Sequence, residues 1–240
     1  MTSGRDDRKR TDLTAKATSD DVSAFLNKIA RTPTVKPAGG KGRLIFAMDA
    51  TASREPTWDR ACHIQAEMFT ETEALGGLEV QLVYYRGFGE CKSSPWVDSP
   101  PELVKRMVAV RCLGGQTQLG RVLKHAFKET EKKKVNALVF VGDCLEEDID
   151  KLCHTAGKLG LLGVPAFMFQ EGYEPGATRG FQQIAKLTNG AYCRFDASSA
   201  RQLRELLNAV AVYAAGGRIA LEDYGKRAGE TVRQITNQVR

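Results

Sequence analysis

Apolar positions along this chain alternate between two patterns. One is the short strand-like run, unbroken in Leu44-Ile45-Phe46-Ala47-Met48 and mostly apolar in Leu78 to Tyr85, Val135 to Val141, residues 165–169 and residues 190–195. Such runs predict parallel strands covered on both faces. The other pattern has helical spacing. Ser19-Asp20-Asp21 supplies an N-cap and an acidic first turn ahead of Val22, Phe25, Leu26 and Ile29. A second helix is expected from Pro56 through Trp58, Ala61, Ile64, Met68 and Phe69 to the stop at Gly76-Gly77. Further helices are expected over 101–110, 119–132, 146–162, 178–188 and 199–214, with a short edge strand at Phe88 to Cys91 after a turn at Arg86-Gly87. The regular alternation predicts an α/β fold: a Rossmann-like, doubly wound, mostly parallel sheet with one short antiparallel edge strand and helices on both faces.

The same pattern divides the chain. Residues 1–18 are charged and poor in apolar groups and read as a flexible basic arm. Residues 19–41 hold a short helix and the Pro- and Gly-rich linker RTPTVKPAGGKG; residues 42–215 form the domain; residues 216–240 form a C-terminal helix, expected to pack on the domain.

Composition changes this picture little. Of 240 residues, 42% are hydrophobic and 27% charged, ordinary for a globular domain. No apolar run approaches the length of about 20 residues that spans a bilayer, so no membrane association is expected. The polar N-terminus lacks the apolar core of a secretory signal, which points to the cytoplasm. The +6 net charge is dispersed: five basic against three acidic side chains in 1–18, the same in 216–240, and 25 against 23 between them. That distribution gives no nucleic-acid footprint. Six cysteines, at 62, 91, 112, 144, 153 and 193, form no CxxC pair and read as reduced thiols.

Candidate chemistry sits where the strands end. In an open parallel sheet, ligands bind beyond the carboxyl ends of the strands. After the first strand stands DATAS, giving Asp49, Thr51 and Ser53; Thr117 precedes the helix from Leu119; Asp143 follows the strand ending at Val141. All five side chains offer oxygen and none nitrogen or sulfur, which suits a hard cation: magnesium first, manganese second. Neutral hydroxyl ligands leave positive charge on such an ion where a third or fourth carboxylate would quench it, and the incomplete shell leaves room for a further ligand. A carboxylate from a protein partner answers both. There is no GxxxxGK[ST] and no GxGxxG after a strand, so nucleotide binding has no support.

On these residues the chain resembles von Willebrand factor A (VWA) or integrin I-like domains over about 42–215. LIFAMDATAS matches the family's DxSxS element, GGQTQLGRVLKHA its threonine element and ALVFVGD its final aspartate, in the family's order. The resemblance implies a metal-ion-dependent adhesion site (MIDAS) with Thr51, Ser53 and Thr117 as ligands and Asp49 and Asp143 bound directly or through water. It implies a non-enzymatic adaptor in a bacterial-type intracellular setting, with an AAA-type ATPase or another multiprotein assembly among the partners. Thr51 in place of serine keeps the hydroxyl, and GDC in place of TDG keeps the carboxylate.

Plainer readings stand beside these. Asp, Ser and Thr are ordinary capping residues. Glu146, Glu147, Asp148 and Asp150 read as the acidic first turn and solvated face of a helix. Cys62-His63, Cys153-His154 and His125 lack a third partner and read as core or surface residues, Lys132-Lys133-Lys134 as a solvated helix end, and Tyr84, Tyr85, Arg86 and Phe88 as strand residues. Two alternatives to the adaptor are a haloacid-dehalogenase-like, magnesium-dependent phosphohydrolase and a VWA fold with a purely structural site. Against the phosphohydrolase, Thr51 occupies the position where that chemistry needs a second aspartate.

Overall fold

The computed structural model describes residues 19–31, 40–195 and 200–236. The expected arm at 1–18 and residues 32–39 of the linker lie outside the described residues. The order of elements is α1 (Ser19–Ala30), β1 (Gly42–Asp49), a 3-10 turn (Ala52–Arg54), α2 (Glu55–Ile64), α3 (Ala66–Thr72), β2 (Leu78–Arg86), β3 (Glu90–Ser93), α4 (Pro100–Val108), α5 (Leu119–Lys132), β4 (Ala137–Gly142), α6 (Ile149–Leu161), β5 (Ala166–Glu171), α7 (Pro175–Leu187), β6 (Ala191–Phe195) and α8 (Ala200–Thr236).

The strands form one six-stranded sheet in the order β3-β2-β1-β4-β5-β6. Only the β2–β3 pair is antiparallel. Every residue of β1 is buried, because alternate side chains enter opposite cores. Leu44, Phe46 and Met48 join the core under α1, α2, α3, α4 and α8, whereas Ile45 and Ala47 join the core under α5, α6 and α7. This double coverage is why the strand reads as an unbroken apolar run.

Both terminal helices belong to the domain. Phe25 and Ile29 of α1 are buried, and the Phe25 ring meets Phe167 and Phe169 edge-on at 6.4 and 5.3 Å. Such aromatic pairs add about 1 kcal/mol beyond the area they bury. The expected helices at 199–214 and 216–240 are both present within α8, as two helical segments that meet at a kink at Gly217, with φ 73° and ψ −165°. Only glycine adopts that conformation readily. Leu221, past the bend, is still buried. No described helix is long and apolar enough to cross a membrane.

Several boundaries differ from expectation; among them, α7 begins at Pro175 rather than 178, because Glu174 is its N-cap, and β4 begins at Ala137 rather than Val135. The helix expected from Pro56 to the Gly76-Gly77 stop breaks at Gln65, whose fully buried side chain turns back to donate to the Cys62 carbonyl at 3.3 Å. The edge strand begins at Glu90 rather than Phe88, since Gly87 (φ 59°) extends the turn. Helix α6 starts at Ile149, not 146, because Asp148 is its N-cap, accepting from the backbone N–H groups of Asp150 at 3.0 Å and Lys151 at 3.4 Å.

Candidate metal centre

Strand β1 pairs with β2 on one side and β4 on the other, so the chain's connections leave in opposite directions at its carboxyl end. That is the crevice where an open α/β sheet binds ligands. Asp49 ends β1 there, only 1% exposed. Its Oδ1 accepts from the Thr51 backbone N–H at 2.7 Å, which turns the chain back on itself and brings Thr51 Oγ1 to 3.4 Å from Ser53 Oγ. Ser53 Oγ donates to Asp143 Oδ2 at 2.9 Å. Thr117 arrives from the loop before α5, held reciprocally by one residue: its N–H donates to Glu146 Oε2 at 3.0 Å, and its Oγ1 accepts from the Glu146 N–H at 3.0 Å.

The five residues singled out in the sequence line one cavity of about 260 Å³, together with Gly114, Gly115, Cys144 and Glu146. Burial pushes the Asp49 carboxyl above its usual range, and the charge of Asp143 adds to this; the bonds from Thr51 and the Arg54 cation act the other way. Beside Asp49 in the β1–β2 register lies Tyr85, fully buried. Burial and then the Asp49 charge hold that phenol well above its ordinary value. Among the described residues no three His, Cys, Asp or Glu side chains converge as metal ligands. At this cavity two aspartates, Asp49 buried and Asp143 partly exposed, meet three hydroxyls in an oxygen-only set. Those residues fit a hard divalent cation.

The acidic run after Asp143 needs correction. Glu146 and Glu147 are not the first turn of a helix. Glu146 holds Thr117, while Glu147 caps the N-terminus of α5, accepting from Leu119 N–H and, at 2.9 Å, from Gly120 N–H. Lys134 is likewise more than a solvated helix end, since its ammonium donates to the carbonyls of Leu162 and Gly163, the latter at 2.8 Å. The cysteines are all free thiols; Cys153 Sγ meets Gln183, and the His125 ring meets Gln81 Oε1 at 2.8 Å.

Sequence reasoning missed Arg54, which directly follows the DATAS segment. It is 1% exposed, paired with Glu171 at the end of β5, and its Nη1 lies 3.9 Å from Asp143 Oδ2. Thr57 donates to the same Glu171 carboxylate. Arg54 Nε and Nη2 have no hydrogen-bond partner among the described residues. The available signal was a lone cation between an apolar strand and a helix start, with a glutamate closing a later apolar run.

Gly115 positions the threonine loop by close approach. A Cβ there would fall 2.1 Å from the Gly87 carbonyl oxygen, while Gln116 N–H donates to that same oxygen at 3.2 Å. Gly115→Ala must therefore displace the loop that carries Thr117. The expected result is a fall of about 10- to 100-fold in magnesium affinity, the range for loss of a supporting contact at a metal site, with the far-ultraviolet circular dichroism unchanged. Wild-type affinity by isothermal titration would show that the loop absorbs the methyl without moving Thr117.

No family model and no curated protein sequence matches the chain. Solved structures do. A von Willebrand factor type A protein from Catenulispora acidiphila superposes with a TM-score of 0.55 at 17% identity, covering 70% of this chain and 42% of that one. The VWA domain of SpRpn10 gives 0.53 at 15% identity, covering 71% of this chain and 95% of that one. The D319A mutant of the PilB minor pilin from Streptococcus sanguinis gives 0.56 at 8% identity, covering 78% and 63%. This chain thus spans less than half the length of the Catenulispora protein. At such identities the likeness is one of architecture: the chain has a VWA-like α/β fold.

Proposed function

We propose that this chain is a cation-dependent protein-binding module of MIDAS type. In this reading Asp49, Thr51, Ser53, Thr117 and Asp143 hold magnesium, with manganese as a substitute, and a carboxylate from an acidic residue of a partner completes the shell. The observation that carries it is the meeting of five oxygen-bearing side chains, from three separate stretches of chain, in one cleft at the sheet's switch point. The bound ion would supply positive charge for an incoming acid; the three hydroxyls, being neutral, take none of that charge, whereas a third or fourth protein carboxylate would quench it. No catalytic step is assigned to the site. The module is proposed to act in the cytoplasm within a multiprotein assembly, an AAA-type ATPase being one candidate partner.

A specific observation favours a second reading, a purely structural site. Arg54 already approaches Asp143 to 3.9 Å and supplies an internal cation. Affinity capture on the immobilised chain separates the two readings. The module predicts partners retained in magnesium and released by EDTA, and retention lost with Thr117→Ala. The same partners recovered in both conditions, and by the Thr117→Ala variant, would sink the adaptor reading.

A further inference from the structure

We infer that the groove between β3 and α5, separate from the cleft at Asp49, is a docking site for an extended acidic segment of a partner protein. The segment adds to the open edge of the sheet and sets its carboxylates against Arg121, Lys124 and Lys128.

Strand β3 is the edge of the sheet, with no described strand beyond it. An uncovered edge offers unpaired backbone groups to an incoming strand. On the α5 side that edge borders a cavity of about 330 Å³, to which Val83, Cys91 and Ser93 contribute. These three share one face, as the pairings Val83↔Ser93 and Tyr85↔Cys91 require. The other wall is α5, whose Arg121, Lys124, His125 and Lys128 fall at i, i+3, i+4 and i+7 on one helical face.

Charge selects the occupant. No acidic side chain lines the groove. Lys124 and Lys128 form no hydrogen bond or ion pair with another described residue, whereas Lys132, one turn on, is tied to Glu129 at 2.7 Å. Arg121 is anchored by one bond to the Gly89 carbonyl at 2.6 Å, leaving further guanidinium donors for a carboxylate. A stripe of lysines on a convex helix is simply a solvated face. Here the stripe forms one wall of a concave site whose other wall is an open strand. That geometry favours an extended peptide over a globular surface. No Phe, Tyr or Trp lines the groove to stack bases, which disfavours single-stranded nucleic acid. At the turn leading into β3, Phe88 is 84% exposed and gives the segment an apolar contact.

The test uses the full chain in EDTA, so that a divalent metal cannot contribute. The probes are a fluorescein-labelled peptide of about ten residues alternating Glu and Val, its Lys/Val counterpart and a single-stranded oligonucleotide of equal charge. Fluorescence anisotropy should show binding of the Glu/Val peptide alone. Affinity should fall at least about tenfold in Lys124→Glu with Lys128→Glu and stay unchanged in Lys105→Glu with Lys158→Glu, an equal charge reversal elsewhere. Lys124 and Lys128 are exposed, so an unaltered melting curve should accompany the loss. Hydrogen exchange should slow at the amides of residues 90–93 when the peptide is bound. Absence of binding, equal affinity in the groove variant, unprotected β3 amides at saturation, or tighter binding of the oligonucleotide would each overturn the proposal.

Discussion

Asp49→Asn should keep the fold and abolish the stabilisation by magnesium that the proposed site predicts for the wild-type protein. Asparagine has nearly the same volume and retains the oxygen that accepts from Thr51 N–H, so the turn after β1 survives. What changes is the charge. Asp49 is buried, and its carboxyl is held above the usual range chiefly by that burial. An acid whose folded pKa lies above its unfolded value, about 3.9 for aspartate, contributes stability below that value and loses it as pH rises through the folded pKa. In EDTA, wild-type stability should therefore decline relative to Asp49→Asn across that window. At neutral pH magnesium should reverse the order. A ligand at a hundred times its Kd stabilises by about 2.7 kcal/mol, which is about 5 to 10 °C in Tm for a domain of this size. The variant should show no such shift. Equal magnesium shifts in both proteins would place the ion elsewhere or remove it from the account.

Arg54→Met should be the most destabilising single change near the cleft. The arginine is among the largest fully buried side chains and pairs with Glu171, whose side chain is only 13% exposed. Removing one member of a buried pair leaves an uncompensated charge, at a cost of about 3 to 5 kcal/mol, or on the order of 10 °C in Tm. Replacing both residues, Arg54→Met with Glu171→Gln, removes the stranded charge and should recover more than half of the loss in a urea titration. A double variant no more stable than the single one would mean that Arg54 acts through packing rather than charge.

The strands were legible because burial on both faces leaves a plain trace: Leu44 to Met48 admit no polar residue, and a chain with that pattern has few other ways to hide it. The cleft was legible for a related reason. Its residues follow those strands directly, so locating the strand ends located Asp49 and Asp143. Thr117 needed the glycine pair before it. What stayed hidden depends on distant partners. Glu147 has the composition of a helix's first turn, yet it caps α5, an element earlier in the chain, and the true cap of α6 is Asp148. Arg54 and Glu171 come from opposite halves of the sequence, and no local pattern joins them. The break at Gln65 left no mark either, since its side chain hydrogen-bonds within a turn that reads as continuous helix.

The contact between Gly115 and Gly87 joins more than two loops. Gly115 precedes Thr117 at the rim of one concavity, and Gly87 opens the turn through Phe88 to the strand bordering the other. A shift of either segment beyond a fraction of an ångström must be felt by its neighbour, because no side chain lies between them to yield. Thermodynamic reciprocity then applies: whatever factor an occupant of the groove imposes on the affinity of the cleft, the cleft's ligand imposes on the groove. Two surfaces that share no residue thus meet at one place, where a pair of glycine backbones touches.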